Sequence, residues 1–289
     1  MTGNPRRLLA AAIVPCAIAA AALAGSGAAS ASTGTRYASA EQVGYAATGA
    51  QFGQVQAIVY LRNPAQYASA VSQYSHTVQL GSSSLVGVAG ISASTSGSSY
   101  TPYAKIFDTS SHQLLASDPT AQWCDDEGNC SSTIGSFPVG DTVELGAEYD
   151  PVMGYLSFTA VDLSADDVYF TATYATGTGI DVNGTVESFT QARVGTEFGS
   201  DPWTAPASFT HPAAWTKIAT YYGVLLRTYN GKYSGLASWF VHHKIFMVGI
   251  TGSLTDVEAA PADLYSRGAS FQTWLAPAGT SGPAQPQQG

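Results

Sequence analysis

Basic residues are scarce in this chain: 11 Lys and Arg stand against 20 Asp and Glu in 289 residues, a net charge of −9. That surface repels phosphates and anionic lipid, which excludes nucleic acid and an anionic membrane face as partners. Cysteine is nearly absent, with Cys16, Cys124 and Cys130 alone. No G-x-S-x-G elbow, H-E-x-x-H helix, P-loop or dinucleotide fingerprint occurs, so the common serine and metal hydrolases and the nucleotide-binding folds are excluded. If Cys124 and Cys130 pair, no thiol nucleophile remains outside the first 31 residues. Nothing in the pattern calls for a metal or any other cofactor. Beyond residue 31 no apolar run is long enough to read as a transmembrane helix.

What is present begins with an export signal. Arg6 and Arg7 precede an apolar run from Leu8 to Leu23, and small residues lead to Ala29-Ser30-Ala31 before Ser32. This charged, apolar, small-residue order reads as a signal peptide over 1–31. Pro15 interrupts the run, which argues against a membrane anchor, and it spoils the lipid-anchor motif before Cys16. Cleavage removes two arginines and takes the net charge from −9 to −11. The expected product is secreted, with no membrane attachment. Residues 32–42 read as a flexible leader, 43–250 as the folded domain, 251–276 as an extension and 277–289 as a Gly/Pro/Gln-rich tail without order.

From Gly53 the chain alternates. Val55, Ala57, Val59 and Leu61 share one face, and Gln54, Gln56, Ile58 and Tyr60 the other, which is the period of a strand. Further strands are expected at His76–Gly81, Leu85–Ser92, Tyr100–Asp108, Thr142–Tyr149, Gly154–Asp162, Asp166–Tyr174, Gly184–Val194, Thr216–Thr228 and Lys232–Gly249. Turn-formers divide them, Asn230-Gly231 giving the clearest hairpin signal. Many strands with frequent turns and no βαβ rhythm predict an all-β, antiparallel sandwich or barrel. One short helix is expected at Asp256–Tyr265, capped by Thr255 with Glu258 as capping-box partner. Cys124 and Cys130 lie close enough to form one disulfide across a small loop. Its acids Asp125, Asp126 and Glu127 lack the spacing of a calcium loop and read as a solvated hairpin tip.

Candidate chemistry is thin. His242 and His243 are strand neighbours whose rings point to opposite faces; with His76, His112 and His211 they read as ordinary structural histidines. Glu144 and Glu148 share a strand face but stand ~13 Å apart at ~3.3 Å per residue. A glycosidase pair needs ~5 Å or ~6.5–9.5 Å, so they are no acid pair by themselves. Aromatics are plentiful, with 16 Tyr, 11 Phe and 5 Trp. Tyr100, Tyr103, Glu144 and Glu148 are the candidate binding residues of an exposed sheet face, suited to an extended peptide or a polysaccharide.

Several segments together resemble the glutamic peptidases, or eqolisins. They are Gly44-Tyr45-Ala46 with Gly49, Phe52 and Val55–Val59; Leu85–Ile91; Tyr100–Asp108; Val139–Val143; Leu156–Ser164; and Ala192–Phe198. The likeness runs over residues 43–230. It implies a concanavalin A-like sandwich (a jelly roll) with a substrate cleft on its concave sheet. It also implies peptide cleavage at acid pH by a glutamate acting as general acid/base beside a glutamine that stabilises the oxyanion. Glu197 matches one of the family's glutamates. The other becomes Arg193, the glutamate of the aromatic strand becomes Lys105, and Val88 stands at the glutamine's place. A hydrocarbon cannot orient water. The sequence therefore predicts a diverged, non-catalytic relative whose concave face binds a polymer. An active acid endopeptidase using Glu197 with Gln79 or Gln191, and a carbohydrate-binding or carbohydrate-cleaving module, are the alternatives.

Overall fold

The computed structural model describes residues 36–281, apart from 40, 95, 165–167, 177–187, 200–202, 204–205, 207, 237–240, 249–253 and 255. The segment read as a signal peptide, residues 32–35 and 40 of the leader and the last eight residues lie outside the described residues, while Arg36–Ser39 within the expected leader forms a strand. No described helix is long and apolar enough to cross a membrane.

In chain order the strands are β1 (Arg36–Ser39), β2 (Gln42–Thr48), β3 (Phe52–Tyr60), β4 (Gln73–Gly81), β5 (Leu85–Ser94), β6 (Ser99–Asp108) and β7 (Leu114–Ser117). Then come β8 (Gln122–Cys124), β9 (Cys130–Ser131), β10 (Phe137–Pro138), β11 (Thr142–Asp150), β12 (Tyr155–Asp162) and β13 (Tyr169–Ala175). The last are β14 (Gln191–Glu197), β15 (Thr216–Thr228), β16 (Tyr233–Ser234), β17 (Val241–Val248), β18 (Val257–Pro261) and β19 (Phe271–Leu275).

Antiparallel pairing builds two layers. The first runs β7-β6-β5-β4-β14-β2-β17. The second runs β9-β8-β13-β12-β11-β3-β15-β19-β18. The β17–β18 ladder joins them at one edge. Strands β3 and β11 pack across β4, and β12 across β5, so the layers stack face to face as a sandwich. Antiparallel strands with one covered face alternate apolar-in and polar-out. Accordingly Val78 and Leu80 of β4, Ile91 of β5, Val55, Ala57 and Val59 of β3, and Leu145 of β11 meet in one core.

Several sequence expectations survive in detail. β15 has the expected ends, and Gly231, at φ 78°, makes the turn into β16. Cys124 and Cys130 form the disulfide that closes the β8–β9 tip. There the Asp125 carboxylate accepts from the Asn129 backbone and side-chain N–H groups, as a solvated hairpin tip would.

The helix expected at Asp256–Tyr265 is a strand instead. Val257–Pro261 pairs with both β17 and β19. The Thr255 cap and the Glu258 capping-box acid gave a local helical signal, but long-range ladders on both sides outweigh a propensity of a few tenths of a kcal/mol per residue. The extension past residue 250 is therefore woven into the sandwich, with β19 seated between β15 and β18. Residues 184–187 of the strand expected at Gly184–Val194 lie outside the described residues; the described strand there is Gln191–Glu197, which runs further than expected and brings Glu197 onto the sheet.

Candidate functional site

Strands β4 and β14 lie side by side in the first layer, with Gln79 opposite Arg193, Thr77 opposite Gly195 and Ser75 opposite Glu197. Period-two alternation sends all six to the face turned away from the core. Their neighbours His76, Val78, Val194 and Thr196 go inward. The same alternation carries the face onto β5 and β6, where Val88 lies opposite Gln79 and Lys105 opposite Val88.

On this face the side-chain amide of Gln79 donates from Nε2 to Glu197 Oε1. Thr77 Oγ1 donates to the same oxygen at 3.3 Å. Four residues of extended strand span about 13 Å, so the two long side chains meet only by extending over Thr77 and Gly195. Gly195 leaves that space clear. A Cβ there would also lie 2.3 Å from the Val43 carbonyl oxygen of β2, so glycine is required for β2 and β14 to approach as closely as they do.

The Val88 expectation is corrected here. Val88 is buried, 1% exposed, and it flanks the amide rather than replacing it. The carboxamide facing Glu197 comes from the adjacent strand. Of the two helpers named from sequence, Gln79 meets Glu197, whereas Gln191 accepts from Arg193 Nε at 3.0 Å.

Glu197 is 3% exposed and Gln79 2%. Burial, with the Glu41 charge as a second cause, lifts the Glu197 carboxyl from the usual range to about 7. The Thr77 hydrogen bond and the Arg193 and Lys105 charges oppose that rise. Gln79 suits both protonation states. Its NH2 group donates to the carboxylate, and its carbonyl oxygen can accept from the carboxylic acid.

Tyr103 of β6 lies across the face. Its hydroxyl interacts with Ser75, and a Cβ on Gly90 would come within 2.6 Å of its ring carbon and hydroxyl. The bare backbone at Gly90 is what lets the ring lie flat. The Lys105 ammonium stands 5.0 Å from that ring's centroid. An open groove of about 440 Å³ begins at Gln79 and runs past Arg193, Gln191, Val86 and Trp203. Within the pair, Gln79 lines this groove and Glu197 sits behind it.

The other sequence candidates do not join this site. Tyr100 is 0% exposed. It points into the core, bonding Tyr74 and the Arg62 carbonyl, so it cannot bind a ligand at the surface. Glu144 and Glu148 lie on the far face of the second layer, where Glu148 pairs with Arg227. Burial raises Glu144, yet neither carboxyl shares a face with Glu197. His243 is buried against Thr48 Oγ1 at 3.0 Å, and His242 lies beside the Tyr45 ring. Sequence reasoning missed Thr77 and Ser75. Their signal was the alternation Ser75-x-Thr77-x-Gln79 on an expected strand. Trp203, one of the many aromatics the sequence offers for holding a ligand, lines the groove.

No family model matches the chain, and no curated protein matches it. A search of solved structures finds SCP-B, a member of the eqolisin family of peptidases, in a complex with the tripeptide Ala-Ile-His. The match has a TM-score of 0.48 and 10% identity, covering 82% of this chain and 98% of that one.

Proposed function

We propose that this protein is an exported peptide hydrolase in which Glu197 moves the proton and Gln79 steadies the oxyanion. The observation that carries the reading is the buried carboxyl–carboxamide contact between Glu197 and Gln79 at the edge of an open groove. The segments that resemble the glutamic peptidases contain Glu197 and add weight. The run over residues 1–31 and the Cys124–Cys130 disulfide support export.

In the first step the Glu197 carboxylate takes a proton from water as the water oxygen bonds to the scissile carbonyl carbon. The charge that develops on the carbonyl oxygen lies against the Gln79 N–H. The Glu197 carboxyl then returns its proton to the amide nitrogen, the C–N bond breaks, and a carboxyl and an amine leave. General acid/base transfer of this kind contributes ~10²–10⁴ in rate, and one oxyanion donor ~10²–10³.

The base form of Glu197 is needed first. Because the carboxyl is lifted to about 7, that form falls tenfold for each pH unit below neutrality. Activity should therefore rise through neutral pH and level off above it, well above the acid range the family resemblance implies. A digest of unfolded casein by the purified protein from pH 2 to 8 tests this. The expected kcat/KM profile has an acid limb with a midpoint near 7; no new peptide at any pH defeats the reading.

A second reading has one observation in its favour. Glu197 is closed off behind Gln79, which suits a groove that holds a peptide without cutting it. Peptide binding by the wild-type protein with no product after prolonged incubation would select it.

A further inference from the structure

The outer face holds a second carboxamide that the chemistry above does not use. Gln42 of β2 lies directly opposite Glu197 in the β2–β14 ladder, and directly opposed residues project as neighbours on one face. Gln42 is 0% exposed. Its Oε1 accepts from Arg193 Nη1 at 3.4 Å. The two side chains meet across Gly44 and Gly195, which are themselves opposed and raise no Cβ between them. This bond fixes which way the amide faces. Turned over, it would set NH2 against a guanidinium that only donates. Gln42 Nε2 therefore points away from Arg193. It is buried and has no acceptor among the described residues.

A buried donor without a partner carries its full desolvation cost, and native structures hold few of them. This one stands beside the group whose charge changes in the proposed reaction. Gln79 and Thr77 both donate to Glu197 Oε1, and no other described residue donates to its carboxyl oxygens. With its proton on Oε2, the acid presents that oxygen as a donor, which an N–H cannot answer. Once ionised, the same oxygen is a strong acceptor.

We infer that Gln42 is a positioning residue of the proposed hydrolase: its Nε2 group closes onto Glu197 Oε2 when that carboxyl ionises and holds Glu197 as the base that draws the proton from water. The contact stands on the ladder and the unanswered donor, and its catalytic consequence rests on the peptide-hydrolase reading.

Other groups act on the same carboxyl through charge. Glu41, whose carbonyl oxygen accepts from the Phe198 N–H at 2.8 Å, raises it, while Arg193 on β14 and Lys105 on β6 lower it. The hydroxyls of Tyr103 on β6 and Tyr221 on β15 are held far above their usual range, first by burial and then by the Glu197 charge, so they stay protonated. His76 on β4 faces the opposite side of the sheet. A hydrogen bond to the ionised form lowers a carboxyl, so removing the Gln42 amide should push Glu197 further up.

The test uses the full exported chain as wild type, Gln42→Met and Gln42→Glu. Gln42→Met removes the donor at similar length and releases Arg193, whereas Gln42→Glu removes the donor but still offers Arg193 an acceptor. Carbon-13 NMR of glutamate-labelled protein follows the Glu197 carboxyl from pH 4 to 9, with Glu197→Gln assigning the signal. The Glu197 midpoint should rise by about one pH unit or more in Gln42→Met, and it should rise in Gln42→Glu as well. The acid limb of kcat/KM should move with it, a shift that loss of packing alone does not produce.

An unmoved or lowered midpoint in Gln42→Met overturns the inference, even where Gln42→Glu rises, because the added charge accounts for that rise. If Gln42→Met fails to fold, the wild type decides. The side-chain NH2 resonances of Gln42 should titrate with the Glu197 midpoint and stop doing so in Glu197→Gln, and resonances that stay flat through that midpoint sink the inference. Peptide cutting with an unmoved midpoint defeats the inference alone. No cutting defeats the hydrolase reading and leaves the titrations to decide the contact.

Discussion

Strands β4 and β14 carry two polar strips, one on each face, and the two strips differ in what they can do. The inner strip joins His76, Thr196, Tyr221 and Thr273. His76 Nδ1 and Thr196 Oγ1 each meet the Tyr221 hydroxyl at 2.9 Å, and Thr273 Oγ1 lies 3.1 Å from Thr196. All four are buried between the layers, and none of them lines the groove at Gln79. The outer strip joins Thr77, Gln79 and Glu197 and opens at Gln79 into the groove. Both are hydrogen-bonded and dehydrated. Burial lowers His76 to about 3 and raises Glu197 to about 7, so each group is driven toward its neutral form. Burial alone therefore does not mark a site. What separates the two strips is an exit to solvent-sized space beside a proton carrier.

The largest expected effect comes from removing that carrier. Glu197→Gln should lower kcat by ~10³ or more, while the same change leaves the inner strip intact and the fold cooperative in a thermal melt. Gln79→Leu should follow with a loss of ~10²–10³ in kcat and a smaller change in KM, read from steady-state kinetics on one peptide. Equal activity in wild type and Gln79→Leu would erase the functional contrast between the strips.

Stability separates the strips with opposite signs. Glu197 is raised in the folded state, so its contribution is fully present below the usual carboxyl range and is lost as pH climbs toward 7. His76 is lowered, so its contribution is present above about 6.5 and is lost as pH falls toward 3. Each slope is roughly 1.4 kcal/mol per pH unit. Relative to wild type, Glu197→Gln should gain stability with rising pH between about 4.5 and 7, and His76→Gln should gain it with falling pH between about 6.5 and 3. Urea melts across pH 4–7 read both, and parallel wild-type and variant curves would refute the assignment.

The smallest effect belongs to a control away from both strips. Glu148→Gln on the second layer breaks the part-exposed pair with Arg227 and should cost under ~1 kcal/mol, with kcat unchanged.

Much of this was legible in the sequence. Alternation located most strands, and the residues around Val55 and Thr216 fell where period two puts them. The Tyr100–Asp108 strand also held the answer to its own ambiguity. Pro102, Ala104 and Ile106 share parity with Tyr100, so that face turns inward and Tyr103 and Lys105 turn outward. Glu197 was legible as a candidate carboxyl. Gln79 was legible only as one of two helpers, because the choice among Val88, Gln79 and Gln191 depends on which strand lies beside β14. That adjacency is a long-range pairing between residues 118 positions apart, and no local period encodes it. The Val257–Pro261 strand was misread for the same reason: its partners β17 and β19 decide its conformation, and local propensity does not.

The central claim is that the Glu197–Gln79 pair cuts peptide bonds. Mass-spectrometric mapping of new amino termini, after an unfolded protein is incubated at about one pH unit above the Glu197 midpoint with wild type and with Glu197→Gln, tests it most directly. The account predicts abundant new termini with the wild type and none above background with the variant. Termini produced equally by both, or by neither, would contradict it.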